Sequence, residues 1–164
     1  MKNKFSALIA LLLICSLASH AQLKRFSLGP YVEAGFPVGD LSKTHNTGYG
    51  VGLGADIKLI KGFGVTGSVG YMRFGGQKDA QNNKYPAVSA VPVRLGIKYQ
   101  LVSILYVKLE SGASTYTGDD SGAAFILAPG IGIRVLGLDV AAKYETWIKS
   151  GNIGFFGLKA GFNF

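Results

Sequence analysis

The chain has 164 residues, a formal charge of +8, 48% hydrophobic residues, 24 glycines and a single cysteine. That length is expected to make one domain. The basic residues are scattered rather than gathered into a stripe with aromatic or helical context, which argues against nucleic-acid binding. Cys15 lies inside an apolar run, so the rest of the chain must fold without a disulfide.

Met1 to Ala21 reads as a secretory signal: Lys2 and Lys4 lead, Ala7 to Leu17 is apolar, and the small residues Ser19 and Ala21 flank His20. Cleavage is expected after Ala21, leaving a domain over residues 22–164 with a charge of about +6. Ile14 stands where a lipoprotein signal requires a small residue, so Cys15 is not read as a lipid anchor. The run from Ala7 to Leu17 is too short for a spanning helix, which needs about 20 residues. A mature chain that enters a membrane must then do so as a closed sheet, because hydrocarbon satisfies no backbone polar group.

From Phe26 the sequence breaks into segments of about ten residues with period-two patterning, as expected of membrane strands. The first runs from Phe26 to about Phe36, with Phe26, Leu28, Val32, Ala34 and Phe36 against Ser27, Gly29, Tyr31 and Glu33. A polar loop is predicted over Pro37 to Thr47, marked by Pro37, Gly39, Asp40 and Asn46. The second strand, Gly48 to Leu59, sets Tyr49, Val51, Leu53, Ala55 and Ile57 against Gly48, Gly50, Gly52, Gly54, Asp56 and Lys58; Lys61 and Gly62 turn the chain. The third covers Phe63 to about Met72, followed by a loop from Gly75 to Lys84. The fourth spans about Ser89 to Leu101 and places Arg94 and Lys98 opposite Val93, Leu95, Ile97 and Tyr99.

After a short link at Val102 and Ser103, the fifth strand runs from Leu105 to about Thr115, with Lys108 and Glu110 on its polar parity. Thr117 to Gly122 is a loop. The sixth strand, Phe125 to Val135, carries Arg134 and turns at Gly137. The seventh, Leu138 to Trp147, carries Asp139, Lys143, Glu145 and Trp147 on one parity, and the eighth follows Asn152 and ends at Phe164 with Lys159 on its polar side. Links after strands two, four and six are tight, while the others are longer and polar. This is the pattern of an all-β, eight-stranded, antiparallel up-and-down transmembrane β-barrel after a cleaved signal peptide, with its long loops at one rim and both termini at the other.

Alternation alone leaves two arrangements open, since a soluble barrel of lipocalin type would bury the oily parity. Three features favour the membrane arrangement. Glycines crowd the polar parity, which suits a narrow lumen. Tyr49, Tyr71, Tyr99, Tyr144, Phe63, Phe125 and Phe164 sit near strand ends on the oily parity, where interfacial girdles belong. The last strand ends on an aromatic residue.

The lumen then receives Glu33, Asp56, Glu110, Asp139 and Glu145 together with Lys58, Arg94, Lys98, Lys108, Arg134, Lys143 and Lys159. An eight-stranded barrel is only wide enough for side chains to fill it, so these groups are expected to pair as an ionic plug. No phosphate-cradling loop or metal-ligand set is present, and no cofactor is expected. His45, the one histidine left after cleavage, lies near Asp40, Ser42 and Thr44 in the first loop, and this cluster reads as solvated loop rather than catalytic machinery.

The Pro37-Val38-Gly39-Asp40 loop start, the Val91–Tyr99 strand, Ala128-Pro129-Gly130, Leu138-Asp139 leading to Tyr144-Glu145, and the terminal Gly161-Phe162-Asn163-Phe164 resemble the small eight-stranded outer-membrane barrels: the outer membrane protein beta-barrel domain, OmpX and OmpA transmembrane-domain type. The resemblance covers essentially the whole mature chain. It implies a monomer in the outer membrane of a Gram-negative bacterium, with lipid and lipopolysaccharide as surroundings. It also implies an assembly signal at Phe162 and Phe164, read by the barrel-insertion machinery, although Lys159 stands where that pattern often has glycine. Lys43, Lys78, Lys84 and Lys149 give the loop rim positive charge able to meet lipopolysaccharide phosphates. The expected role is non-enzymatic, in envelope structure or surface interaction. A narrow channel for small or hydrophobic solutes is the alternative.

Overall fold

The computed structural model describes residues 25–80, 82–117, 122–149 and 151–164. The expected signal segment, its cleavage site after Ala21, and Gly118 to Ser121 of the third long loop lie outside the described residues. The remainder is β1 (Phe26–Val38), a single helical turn α1 (Leu41–Thr44), β2 (His45–Lys58), β3 (Phe63–Gly76), β4 (Val88–Gln100), β5 (Leu105–Tyr116), β6 (Gly122–Val135), β7 (Leu138–Ile148) and β8 (Ile153–Phe162). Every strand pairs antiparallel with its neighbour in sequence, and β8 returns to β1 from Tyr31↔Gly161 to Val38↔Gly154, closing the sheet. Closure leaves no edge strand to satisfy. Beyond β8, Phe164 and Leu28 still exchange backbone hydrogen bonds of 3.0 and 3.1 Å.

The tight links Leu59–Gly62, Leu101–Ile104 and Leu136–Gly137 all lie at the rim that holds both described chain ends. Leu136 (φ 51°) and Gly137 (φ 87°) form a two-residue connection with both residues left-handed, the geometry whose twist matches that of paired strands. The longer connections gather at the opposite rim, as the alternation of link lengths predicts.

Several boundaries differ from the sequence reading, among them the end of β8, which stops at Phe162 rather than Phe164. Pro37 and Val38 belong to β1, and His45 to Thr47 to β2, so the first loop shrinks to Gly39–Thr44. There α1 seats Leu41 inward, and the Ser42 hydroxyl donates to the Gly39 carbonyl at 2.7 Å. Period-two reading missed this turn because one buried residue sets its direction. β3 continues to Gly76, past the expected end near Met72, because Phe74 packs inward against other aromatic rings. β6 begins at Gly122 rather than Phe125, paired with Tyr116. Ile148 closes β7 rather than opening the following loop.

The faces follow the expected parity. Val51, Leu53, Val93, Leu95, Ile97, Leu109, Ile131 and Leu158 are exposed around the outside, while Glu33, Arg94, Glu110, Lys143 and Glu145 are buried within. Outward aromatics collect in two belts. Phe63 and Tyr99 meet in a tilted contact at 4.6 Å between centroids at the turn end, and Tyr144 and Phe156 meet at 5.3 Å toward the loop end. Such belts are where amphipathic rings meet a membrane interface. Leu95, 65% exposed at the middle of β4, tests this directly. Leu95→Arg is expected to lower folding free energy in lipid vesicles by about 2–4 kcal/mol. Ile60→Arg, in a turn, should leave it within about 0.5 kcal/mol. Equal effects in a urea titration would reverse the facing.

Candidate functional site in the lumen

Inward side chains fall into three tiers along the barrel axis. Nearest the turns, Asp56 of β2, Lys98 of β4, Arg134 of β6 and Asp139 of β7 converge. Lys98 Nζ lies 3.1 Å from Asp56 Oδ2 and 3.3 Å from Asp139 Oδ2, and the Arg134 guanidinium bridges both carboxylates. The Tyr106 hydroxyl donates to Asp139, and Arg134 reaches the Ser27 hydroxyl at 3.2 Å. Four strands are thereby cross-linked through charge, and Tyr106 of β5 and Ser27 of β1 join them by hydrogen bonds.

The middle tier is drier. Arg94 donates from Nε and Nη2 to Glu145 Oε1 at 3.2 and 2.8 Å, and its Nη2 also lies 3.7 Å from Glu33. Lys143 Nζ sits 2.8 Å from Glu33 and 2.5 Å from the second Glu145 oxygen, in ion-pair contact off the hydrogen-bonding direction. Lys108 holds Glu110 at 2.6 Å. Arg94 and Glu145 are essentially inaccessible, so these ions exchange hydration for one another, and removing one would strand the rest.

At the loop end the filling becomes apolar. Met72, Phe74, Ala90, Ile126, Trp147 and Phe155 form a fully buried cluster, with Leu41 of α1 among them. Phe74, Trp147 and Phe155 meet edge to face with centroids 5.1–6.1 Å apart, the favoured aromatic arrangement. Trp147 Nε1 donates to Glu145 Oε1 at 2.6 Å, joining this cluster to the charges beneath it. The glycine parity makes room for these large groups. The Phe74 ring lies over Gly48, and a Cβ on Gly52 would come within 2.6 Å of the Tyr31 hydroxyl.

The structure therefore brings eleven of the twelve charged residues expected in the lumen to inward positions and leaves one aside. Lys58 is exposed at the turn rim, because β2 ends there and its side chain has water within reach. The aromatic cluster was missed by the sequence reading. Trp147, Ile126 and Phe155 lay within the expected strands on the inward parity, and Phe74 falls on it once the third strand is extended; an apolar residue on a polar parity was the available signal. His45 opens β2 instead of lying in a loop. Its Nδ1 is 2.8 Å from the Thr44 hydroxyl and its Nε2 is 3.1 Å from the Pro86 carbonyl, so the ring bridges two connections. Asp40 and Lys43 stay at the surface, 2.8 Å apart, and the hydrogen bond from Lys43 holds the Asp40 carboxyl below its ordinary range.

This arrangement makes Arg94 and Glu145 energetically inseparable. Arg94→Met alone is expected to cost about 3–5 kcal/mol by leaving buried carboxylates uncompensated. Adding Glu145→Gln removes one of those charges and keeps an acceptor for Trp147, so the double variant should be at least about 1 kcal/mol more stable than the sum of the single effects. Strict additivity in urea unfolding of the folded barrel would contradict the pairing.

Residues 7–164 match the model of the family described as outer membrane protein beta-barrel domain. No curated protein matches the chain. Among solved structures, Ail, the attachment invasion locus protein of Yersinia pestis, in complex with the heparin analogue sucrose octasulfate, superposes with a TM-score of 0.54 at 17% identity, covering 85% of this chain and 97% of Ail. The N-terminal beta-barrel domain of Pseudomonas aeruginosa OprF gives 0.52 at 14% identity, covering 84% of this chain and 97% of its own. Neisserial surface protein A gives 0.52 at 12%, covering 84% and 95%. At such identities the likeness is one of fold. Since the family match runs across all eight strands, the chain belongs to the outer membrane protein beta-barrel domain family.

Proposed function

We propose that this protein is a non-enzymatic integral barrel of a Gram-negative outer membrane, exported by a signal cleaved after Ala21 and inserted as a monomer. Its role is in envelope structure and surface contact rather than transport. The observation that carries this reading is the filling of the lumen. Ionic pairs occupy the turn end and middle, and a buried aromatic cluster closes the loop end. A solute crossing the barrel would have to break buried ion pairs and displace Trp147, Phe74 and Phe155 together, each step costing several kcal/mol.

Contact with other molecules then falls to the outside and the loops. Lys43, Lys78, Lys84 and Lys149 lie in the connections of the loop rim, and Arg73 points outward beside Tyr49 and Ser89 at the same end. Basic groups at that height are placed to meet phosphates of lipopolysaccharide. Ail, similar in fold, is described in complex with a polysulfated sugar analogue, which supports a polyanion as the kind of surface partner. The outward Phe162, which ends the last strand, and Phe164 just beyond it, with centroids 6.3 Å apart, are proposed as the features recognised by the insertion machinery.

Planar-bilayer recording of purified protein distinguishes this reading from a channel. The expected result is no steady conductance. Steady unitary steps that disappear when the lumen is blocked would overturn the plugged-barrel reading and favour the narrow conduit. Replacing Lys78, Lys84 and Arg73 together with Ser is expected to weaken binding to vesicles containing lipopolysaccharide and to flatten its salt dependence, with the gel-shift signature of the folded barrel unchanged.

A further inference from the structure

The lumen is not charge-balanced. Arg94, Lys98, Lys108, Arg134, Lys143 and Lys159 face five acids, and each acid already has a base within ion-pair distance: Glu33, Glu110 and Glu145 in the middle tier, Asp56 and Asp139 nearer the turns. Lys159 is the surplus cation. Among the described residues no acid lies within ion-pair distance of it. Its Nζ rests 3.7 Å above the centre of the Tyr31 ring and beside Gly54, where a Cβ would stand 3.7 Å away. The charged groups that act on it are Lys108 and Lys143, which repel it, and Glu110 and Glu33, which are held by those two lysines.

Space adjoins this cation. Lys159, Lys108, Lys98 and Arg134 line a small cavity of about 30 Å³ with Thr66 and Tyr106; its only acids, Asp56 and Asp139, are those already engaged by Lys98 and Arg134. One probe sphere of water needs roughly 10–15 Å³, so a single small ion or the tip of a larger one fits. Asp56, Lys98, Tyr106 and Arg134 also line a cavity of about 340 Å³ bounded by the three tight turns. The ion-paired tier of those residues stands between the two cavities, on the turn side of Lys159, while the aromatic cluster closes the other end. Lys58 and Lys61 stand at the mouth of the larger cavity and raise the local concentration of anions.

We infer that the turn end of the lumen is an anion-binding site, in which Lys159, half-buried, is the counter-charge for one small monoanion, a halide or the tip of a single carboxylate. An ammonium ion with no acid beside it is costly in this setting, and an anion held at the Lys159 side of the adjoining cavity offsets that cost. The Tyr106 hydroxyl is already given to Asp139, so the donors facing the cavity are the ammonium groups of Lys159 and Lys108, which carry three protons each. The inference goes beyond the plugged-barrel reading and holds whether or not the barrel conducts.

The test uses the isotopically labelled barrel folded in lipid nanodiscs in sodium sulfate, with chloride exchanged for sulfate at constant ionic strength and acetate exchanged in a second series. The expected result is a saturable amide shift at Gly54, Lys159, Gly161 and Asn163. It should be retained in Lys61→Ser and lost in Lys159→Met. Saturation by chloride alone assigns a halide, and saturation by acetate assigns a carboxylate tip; either supports the site. No saturable shift, shifts confined to residues around Lys58 and Lys61, or identical shifts in Lys159→Met would overturn it. Should Lys159→Met not fold, bromide soaked into crystals of the unaltered protein decides the matter. An anomalous peak beside Lys159 Nζ supports the site, and its absence there overturns it.

Discussion

The rest of the structure follows from the requirement that each strand hydrogen-bond on both sides. Pairing of β8 with β1 meets it by closing the sheet, and hydrocarbon permits no open edge. Closure at eight strands fixes a bore that side chains must fill. Every residue on the inward parity is thereby committed to a confined space, and every acid there to a base within ion-pair distance. The ion pairs are in this sense a consequence of the backbone and not an independent stabilising device. Their net contribution relative to apolar filling is small, but the penalty for breaking any one is large.

Confinement also explains where glycine and the large residues fall. A narrow bore cannot accept a bulky side chain from every strand at one height. Gly48 yields to Phe74, and Gly52 with Gly70 yields to Tyr31. The β2 wall is consequently almost bare on its inner side, and the groups projecting from β1, β3 and β8 occupy the volume it releases. Filling is shared between strands, so the effect of a substitution on one strand depends on what the others place at that height.

Much of this architecture is legible in the sequence because membrane strands place apolar and polar residues on strictly alternating positions. Val91 to Tyr99 states its facing without ambiguity, and so does the Gly48–Asp56 run. Charge is legible for the same reason, since an acid at Glu110 or Glu145 on a lipid-facing parity would be untenable. Ends of strands were harder. Pro37 and Asn46 suggest a loop, yet both lie within strands, because cross-strand bonds and inward packing override local turn preference. The apolar tier was hidden for a different reason. Phe155 is preceded by glycine and followed by Phe156, so alternation gives no clear parity there, and Ile126 lies between Phe125 and Leu127 in a continuous apolar run. Only the register with β7 and β1 shows which of these rings turn inward. Pair identities, such as Arg94 with Glu145 across β4 and β7, depend on barrel shear and side-chain reach, which period-two patterning does not encode.

The two ends of the lumen are built on different physics. At the loop end, exclusion of water depends on apolar area and edge-to-face rings, and α1 adds Leu41 to the cluster from outside the sheet. At the turn end, the connections are too short to fold over the bore, and charged groups there remain partly accessible. Trp147 couples the two regimes, with its ring in the aromatic cluster and its Nε1 hydrogen-bonded to Glu145. A change that displaces the indole thus removes a donor from the buried ionic tier as well as apolar filling from the tier above. Closure of the loop end and order in the charged tier are linked through that one side chain.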